Sequence, residues 1–320
     1  MCAEPAAEWL ASCCANSANP RGSLRRYCSR EAPFNAAAAW HEFTELLRLD
    51  YAYFERPGVD GPKILAHFAD RAHAAKSRSE FVAVAKVVAR NFADPHFNVG
   101  PGAPTDPGLV PTASDLFGDV VDGRCVVRAV RGGSDAAAQG VPVGATVGAI
   151  DGHDCTARIA ALLGRPIAAL TRVQAQYGLN LALAGVRGQP RHLVLRAGGG
   201  PPRTFTLRSP DEHARAVAAA RAVVAERRGD IGLIRFNNSL GRDETIVQFK
   251  AAAQELLDTR AMVIDLRNTP SGGNTTVARA ILGHFVTRER PYQVHAVPGE
   301  QRRHGVPRKF VELVAPLAPH

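Results

Sequence analysis

The chain has 320 residues, of which 46% are hydrophobic and 22% are charged, and its formal net charge is +9. This is the composition of a globular protein with room for two or three domains. No stretch approaches the roughly 20 apolar residues of a membrane-spanning helix. The basic residues are scattered, with no basic block interleaved with aromatic residues, which argues against nucleic-acid binding.

The first 33 residues predict a loose leader without the basic start and apolar core of a signal peptide. Four of the six cysteines lie there: Cys2, Cys13, Cys14 and Cys28. Their spacing contains no C-x₂-C pair, so no zinc site is predicted. In an oxidising compartment Cys13 or Cys14 could form a disulfide with Cys28, and free thiols are the alternative.

Residues 34–98 are predicted to form a helical N-terminal domain. Apolar residues recur every three or four positions from Trp40 to Phe54 and make one stripe along a helix. Pro62 begins a second helix. Ser77 opens a third helix through an S-x-x-E capping box.

His96 ends this helical region in the tripeptide Asp-Pro-His. One interpretation is a loop histidine that makes a local hydrogen bond. The other is a general base for a serine, because an imidazole titrates near neutral pH.

The middle of the chain is predicted to be a small β domain, residues 113–208, after a Gly- and Pro-rich linker at 99–112. Its predicted strands are 125–130, 146–150, 192–196 and 203–207. Residues 132–152, GGSDAAAQGVPVGATVGAIDG, resemble the core of a PDZ domain. The resemblance implies capture of an extended peptide along a sheet edge, and a mere spacer is the alternative.

Residues 209–320 are predicted to form an α/β domain. An Ala-rich helix is predicted at 211–228, and alternating elements follow: strand 231–236, helix 243–257, strand 262–266, helix 275–286 and strand 292–297. This alternation predicts right-handed parallel crossovers. Ligands bind at the C-terminal ends of such strands.

A Pro-Ser-Gly-Gly turn follows the strand at 262–266, and Asn274 or Thr275 is predicted to cap the next helix. Gly272 and Gly273 would then present backbone N–H groups to an anion. That anion is either a phosphate or the oxyanion of an attacked carbonyl. The sequence has no phosphate-loop motif after the strand. A plain connecting loop is the third interpretation.

The segment IDLRNTPSGGN, followed by an Ala-rich helix, is similar to the D-L-R-x-N-x-G-G segment of the S41 serine peptidases, which include tail-specific and tricorn-like proteases. RGDIGLIRFNNSLG at 228–241 resembles the opening strand of their catalytic domain, and the Asp-Pro-His tripeptide resembles their D-x-H motif. The resemblance implies a multidomain α+β protein with a helical domain, a PDZ-like domain and a partial ClpP/crotonase-like catalytic domain.

The same resemblance implies hydrolysis of peptide bonds in protein or peptide substrates, without a cofactor or metal. It implies an oxyanion hole at Gly272 and Gly273 and a general base at His96. The family's catalytic serine follows a later strand, and Ser239 and Ser271 are the only serines after residue 210. We therefore expect the chain to be C-terminally truncated and inactive alone.

A non-catalytic peptide-binding protein on a protease scaffold is the alternative to the enzyme. Many members of the family are exported, so the resemblance implies the bacterial envelope or periplasm. The sequence leaves the substrate and the oligomeric state open.

Overall fold

The computed structural model describes residues 33–108, 114–269 and 272–317. Apart from Pro33, the predicted leader with its four cysteines lies outside the described residues, as do Pro270 and Ser271.

The first part of the described chain contains the three helices predicted from the apolar stripe, the proline and the capping box. They are α1 (Ala36–Asp50), α2 (Gly61–His73) and α3 (Arg78–Asn91), with a short hairpin β1 (Glu55–Arg56) and β2 (Val59–Asp60) between α1 and α2. Side chains of Asn35, Asp60 and Ser77 cap the three helices by accepting backbone N–H bonds. Trp40 and Phe92 belong to the apolar cluster that the helices enclose.

The second part is built on an antiparallel sheet with the order β3-β4-β5-β7-β8, and β6 pairs with β5. Its elements are β3 (Leu116–Val121), β4 (Arg124–Val130), α4 (Asp135–Ala138), β5 (Thr146–Ile150), β6 (His153–Asp154), α5 (Cys155–Leu163), α6 (Arg172–Ala184), β7 (Arg191–Arg196) and β8 (Arg203–Leu207). The four predicted strands are present. Helices α5 and α6 were not predicted, although Asp154 and a Thr171–Gln174 capping box mark their starts.

The third part combines helices with two small sheets. Its elements are α7 (Pro210–Ala219), β9 (Val223–Arg228), β10 (Ile231–Phe236), α8 (Glu244–Gln254), β11 (Ala261–Asp265), α9 (Thr275–Leu282), β12 (Arg290–Ala296), α10 (Pro298–His304) and β13 (Lys309–Val314). Asn274 caps α9 by accepting the Thr276 N–H at 2.8 Å, as one of the two predicted caps.

Two predictions for this third part are wrong. The helix predicted at 211–228 ends at Ala219, and its second half is strand β9, because Gly229, at a φ of 62°, allows a tight hairpin into β10. Strands β10 and β11 are parallel as predicted, but the strand expected at 292–297 does not join them. It is β12, which pairs antiparallel with β13 because the chain turns back through α10.

Each part encloses an apolar cluster of its own, and polar side chains connect the parts. Asn91 at the end of α3 donates to the Leu163 carbonyl of α5 at 2.8 Å. Arg131, after β4, donates to the Arg267 carbonyl, after β11, at 2.8 Å. None of the described helices could span a membrane. The division into three domains stays a prediction.

Candidate active site

A cavity of about 880 Å³ lies where the three parts of the chain meet. The helical part contributes Ala93 and Pro95 to its wall. The β-rich part contributes the start of β3, the end of β4 and one side of α6. The third part contributes Arg235, Arg267 and Asn268, together with Asp265 at the end of β11. Elements distant in the sequence therefore enclose one space, of the size that small-molecule and peptide sites have.

His96 is held by the carboxylate of Asp94 at the edge of this cavity's helical wall. One oxygen of Asp94 accepts the His96 backbone N–H at 2.9 Å and lies 3.2 Å from its Nδ1. The other oxygen accepts the Tyr51 hydroxyl at 2.8 Å. Asp94 has a side-chain exposure of 7%, whereas His96 is 88% exposed. A buried carboxylate thus orients an accessible imidazole.

The protonation of this group follows from its contacts. Burial alone would raise the pKa of Asp94, but hydrogen bonds from the His96 N–H, the Tyr51 hydroxyl and the His96 ring hold that pKa below its ordinary value. Burial raises the pKa of Tyr51, and its hydrogen bond to Asp94 raises it further. At neutral pH Asp94 is ionised and Tyr51 is a neutral donor.

The C-terminal end of β11 carries a second buried carboxylate. Asp265 accepts from Arg235 Nε at 2.9 Å and from Arg267 Nη2 at 2.7 Å. It also accepts the Arg267 backbone N–H at 3.1 Å, which fixes the first residues of the turn. The bonds from Arg267 hold the pKa of Asp265 far below its usual range, against the opposing effect of burial.

The glycine turn packs against a loop that follows β10. A Cβ added at Gly273 would lie 2.5 Å from the Ser239 carbonyl oxygen, so only glycine fits without movement. The next residue, Asn274, donates its N–H to the Leu240 carbonyl at 3.0 Å. Among the described residues, neither Gly272 nor Gly273 has a hydrogen-bond acceptor for its N–H. Both amides therefore remain available to a ligand within the described part of the chain.

The structure brings the neighbours of the predicted site residues to one cavity. Residues on both sides of Asp94 line it, and so does the chain from Asp265 to Asn268, which leads into the glycine turn. His96, Gly272 and Gly273 are not themselves among its described lining residues.

Two contributors to this site escaped sequence reasoning. The loop after β10 supports the turn through Asn237, whose side-chain oxygen accepts from Asn268 Nδ2 at 2.8 Å. The Asn-Asn-Ser sequence at 237–239 was the signal, because polar residues directly after a buried strand lie at its C-terminal end. The other is His213 of α7, a lining residue whose pKa is lowered by burial and by nearby Arg131. Its Ala-rich helix gave no such signal.

Strand β3 lies at one edge of the antiparallel sheet, and its outer side already has partners. The Asn180 side chain of α6 accepts the Gly118 N–H at 2.9 Å and donates to the Gly118 carbonyl at 2.9 Å. The Val120 N–H donates to the carboxylate of Asp119 at 2.9 Å. A peptide can pair with this stretch of the edge only if it displaces Asn180.

No group of three or more His, Cys, Asp or Glu side chains that could hold a metal ion occurs in the described ranges. The cysteines described, Cys125 and Cys155, are buried and form no disulfide.

No family model and no curated protein sequence matches this chain. Solved structures that are similar to it include mature CPAF complexed with lactacystin, at 16% identity and a TM-score of 0.48, covering 82% of this chain and 61% of that chain. Another is the photosystem II D1 C-terminal processing protease, at 14% identity and a TM-score of 0.43, covering 88% of this chain and 71% of that chain.

A third is a putative S41 protease from Bacteroides fragilis NCTC 9343, at 13% identity and a TM-score of 0.29, covering 84% of this chain and 65% of that chain. The chain spans about three fifths of the length of CPAF. Proteases, one of them described as an S41 protease, are thus among the structures similar to this chain. All three TM-scores are below 0.5.

Proposed function

We propose that this chain belongs to a serine peptidase of the S41 type, which hydrolyses peptide bonds of protein substrates by acyl transfer. The observation that carries the proposal is the shared cavity. Its wall includes both neighbours of Asp94, the residue that holds His96, and also the segment that leads into Gly272 and Gly273.

His96 is assigned the role of general base. Because the ionised Asp94 lies beside Nδ1, it favours the tautomer with the proton on Nδ1, which leaves the Nε2 lone pair for a serine hydroxyl. A base oriented by a third group is the arrangement that activates a serine. The exposure of the ring leaves it accessible to a substrate and to a nucleophile.

The N–H groups of Gly272 and Gly273 are assigned to the oxyanion that forms when the carbonyl is attacked. Donors fixed in place before the reaction stabilise that charge without reorganising. The loss of one such donor costs about 3 kcal/mol of barrier, or roughly a hundredfold in rate. The bond from Asn274 to Leu240 fixes the chain just after these amides.

Substrate capture is proposed to begin at the cavity rather than along the whole β3 edge. Phe117, which is 49% exposed, lies in the cavity wall and offers an apolar contact. Pairing beyond it requires a peptide to replace the two bonds between Asn180 and Gly118. Such an exchange keeps the backbone groups satisfied throughout.

The nucleophile is the part of the proposal that rests on family resemblance. Among the described residues the serine beside the glycine turn is Ser239, and what approaches Gly273 is its backbone carbonyl oxygen. We propose that residues 1–320 alone do not hydrolyse peptides and that a serine supplied outside them completes the site.

The test compares residues 1–320 with the product of the full reading frame on an unfolded protein substrate. We expect cleavage by the full product, its loss in a His96→Gln variant of that product, and no cleavage by residues 1–320. The matched control is His153→Gln, which changes an exposed histidine. The full product with this substitution should cleave the substrate normally. Serine-dependent cleavage by residues 1–320 would refute the missing nucleophile, and normal cleavage by the His96 variant would refute the base.

Binding without hydrolysis by both products, with no further serine in the frame, would favour the alternative. The chain would then be a peptide-binding protein on a protease scaffold, since the cavity could hold a peptide without any reaction.

A further inference from the structure

A second cavity, of about 1000 Å³, lies away from the candidate active site. It is bounded by α2 and α3 of the helical part, by α5 and the end of α6, and by the loop 101–107. None of its described lining residues is shared with the first cavity.

Basic side chains dominate its polar lining. They come from several elements: Arg71 of α2; Arg78, Lys86 and Arg90 of α3; and Arg158 of α5. Asp106 supplies the single carboxylate among the described lining residues. Five cations therefore face one anion in this part of the structure.

Asp106 is fully engaged by its neighbours. Its two oxygens lie 2.7 Å from Lys86 Nζ and 3.2 Å from Arg90 Nη2, and one of them also accepts the Ala103 N–H at 2.7 Å. Asp106 thereby folds the loop over α3. Because Asp106 already pairs with Lys86 and Arg90, it does not pair with Arg71 or Arg158 as well.

Arg71 and Arg158 form no ion pair with a carboxylate in the described part of the chain. The Arg158 Nε is buried and has no hydrogen-bond partner among the described residues. Cations gathered around a partly enclosed space repel one another, and an anion in the cavity relieves that repulsion.

Much of the remaining lining is apolar and includes Val82, Leu162, Leu181 and Val186. Arginine forks match phosphate oxygens in a planar, two-bond geometry, which favours phosphate as the anion. The volume lies at the upper end of the range for small-molecule sites. A ligand with a charged group and an apolar portion matches these surfaces.

We propose that this cavity binds a small molecule that carries a polyphosphate group, with the phosphates held by Arg71, Arg158 and their neighbours. The apolar lining would contact the rest of the ligand. The site is independent of the proposed peptidase activity, because its described lining residues are its own.

The probe is inorganic tripolyphosphate, titrated into the full chain by calorimetry, with sulfate at matched ionic strength as the reference anion. We expect saturable one-to-one binding of tripolyphosphate that is tighter than that of sulfate. Arg158→Gln and Arg71→Gln should each weaken it by about tenfold, the loss expected for one charge-assisted hydrogen bond. Arg124→Gln, which removes an exposed charge at the β3–β4 turn, is the matched control and should leave affinity unchanged.

Circular dichroism of each variant verifies the fold, which should persist because neither Arg71 nor Arg158 has an ion-pair partner among the described residues. Binding that is unsaturable, equal for sulfate, or unaffected by both cavity variants would overturn the proposal. Tighter competition by a poly-glutamate peptide than by tripolyphosphate would also overturn it, because it would assign the cavity to an acidic protein segment.

Discussion

Gly272 and Gly273 are neighbours with different surroundings. A Cβ at Gly272 meets nothing within 4 Å, whereas a Cβ at Gly273 meets the backbone oxygen of Ser239 at 2.5 Å. We predict that Gly273→Ala lowers the free energy of unfolding by about 1–3 kcal/mol, as overpacking does. Gly272→Ala should change it by less than about 1 kcal/mol. Urea unfolding of both variants measures this, and equal losses would contradict the close approach at Gly273.

Asp94 should make the stability of the fold depend on pH in the acid range. Its pKa is lowered in the folded chain from an ordinary value of 3.8. A carboxyl with a lowered pKa stabilises the fold above its unfolded pKa, and that contribution is lost as the pH falls through the folded value. Wild type should therefore lose more stability than Asp94→Asn between about pH 5 and pH 2.

The matched control for this experiment is Asp122→Asn, which changes an exposed aspartate in a turn. Between the same two pH values, this variant should lose as much stability as wild type does. An Asp94→Asn variant with the same acid loss as wild type would contradict the hydrogen bonds assigned to Asp94.

The contacts of single residues at the candidate site could be predicted only in part from the sequence. Asp94 and His96 are two positions apart, so their contact is local and the tripeptide pointed to it. Tyr51 is 43 positions from Asp94, and no local pattern reveals a contact at that separation. The roles of His96, Gly272 and Gly273 remain predictions.

Helix α6 occupies part of the edge of strand β3, which affects whether a peptide can pair there. The buried Gly118 has both backbone groups bonded to Asn180. Asn180→Ala should lower the free energy of unfolding by about 1–3 kcal/mol, because it leaves a buried N–H and carbonyl without partners. Gln176→Ala, on the same helix, should cost less than about 1 kcal/mol, since Asp119 keeps its bond to Arg172.

Chemical unfolding of both variants is the measurement. Equal stability of Asn180→Ala and wild type would show that water or a peptide reaches the β3 edge freely.

Helices and strands with strong local sequence patterns could be predicted. Strands that depend on pairing with another strand could not. The strands predicted at 146–150, 203–207 and 231–236 match the structure, because each is a short apolar run with turn residues at its ends. The sequence predicts helix where strand β9 lies, because Ala-rich sequence precedes it. Its pairing with β10 depends on Gly229 and on tertiary contact, which local propensity does not contain.

Asn91 connects the helical part to the β-rich part. Its Nδ2 donates to the backbone carbonyls of Val87 and Leu163, and its own backbone carbonyl accepts from Gln174 Nε2 at 2.9 Å. Asn91→Ala should lower the free energy of unfolding by about 1–3 kcal/mol, because the buried Leu163 carbonyl loses a partner. The exposed Asn98→Ala, in the same part, should cost less than about 0.5 kcal/mol. Equal losses in thermal unfolding would contradict a buried junction at Asn91.

The candidate site is a property of the whole molecule. The sequence predicted the type of each part, but the cavity arises where three separately clustered parts meet, through contacts such as Arg131 to the Arg267 carbonyl. This contact joins residues 136 positions apart, so no motif or period encodes it. The basic cavity at Asp106 escaped notice for the same reason.

A crystal structure of the chain with a bound substrate peptide would test the proposed site. We expect a peptide in the cavity between Pro95 and Asn268, with one carbonyl oxygen about 3 Å from the N–H groups of Gly272 or Gly273. A peptide bound elsewhere, or glycine amides bonded within the chain while the cavity is filled, would contradict it.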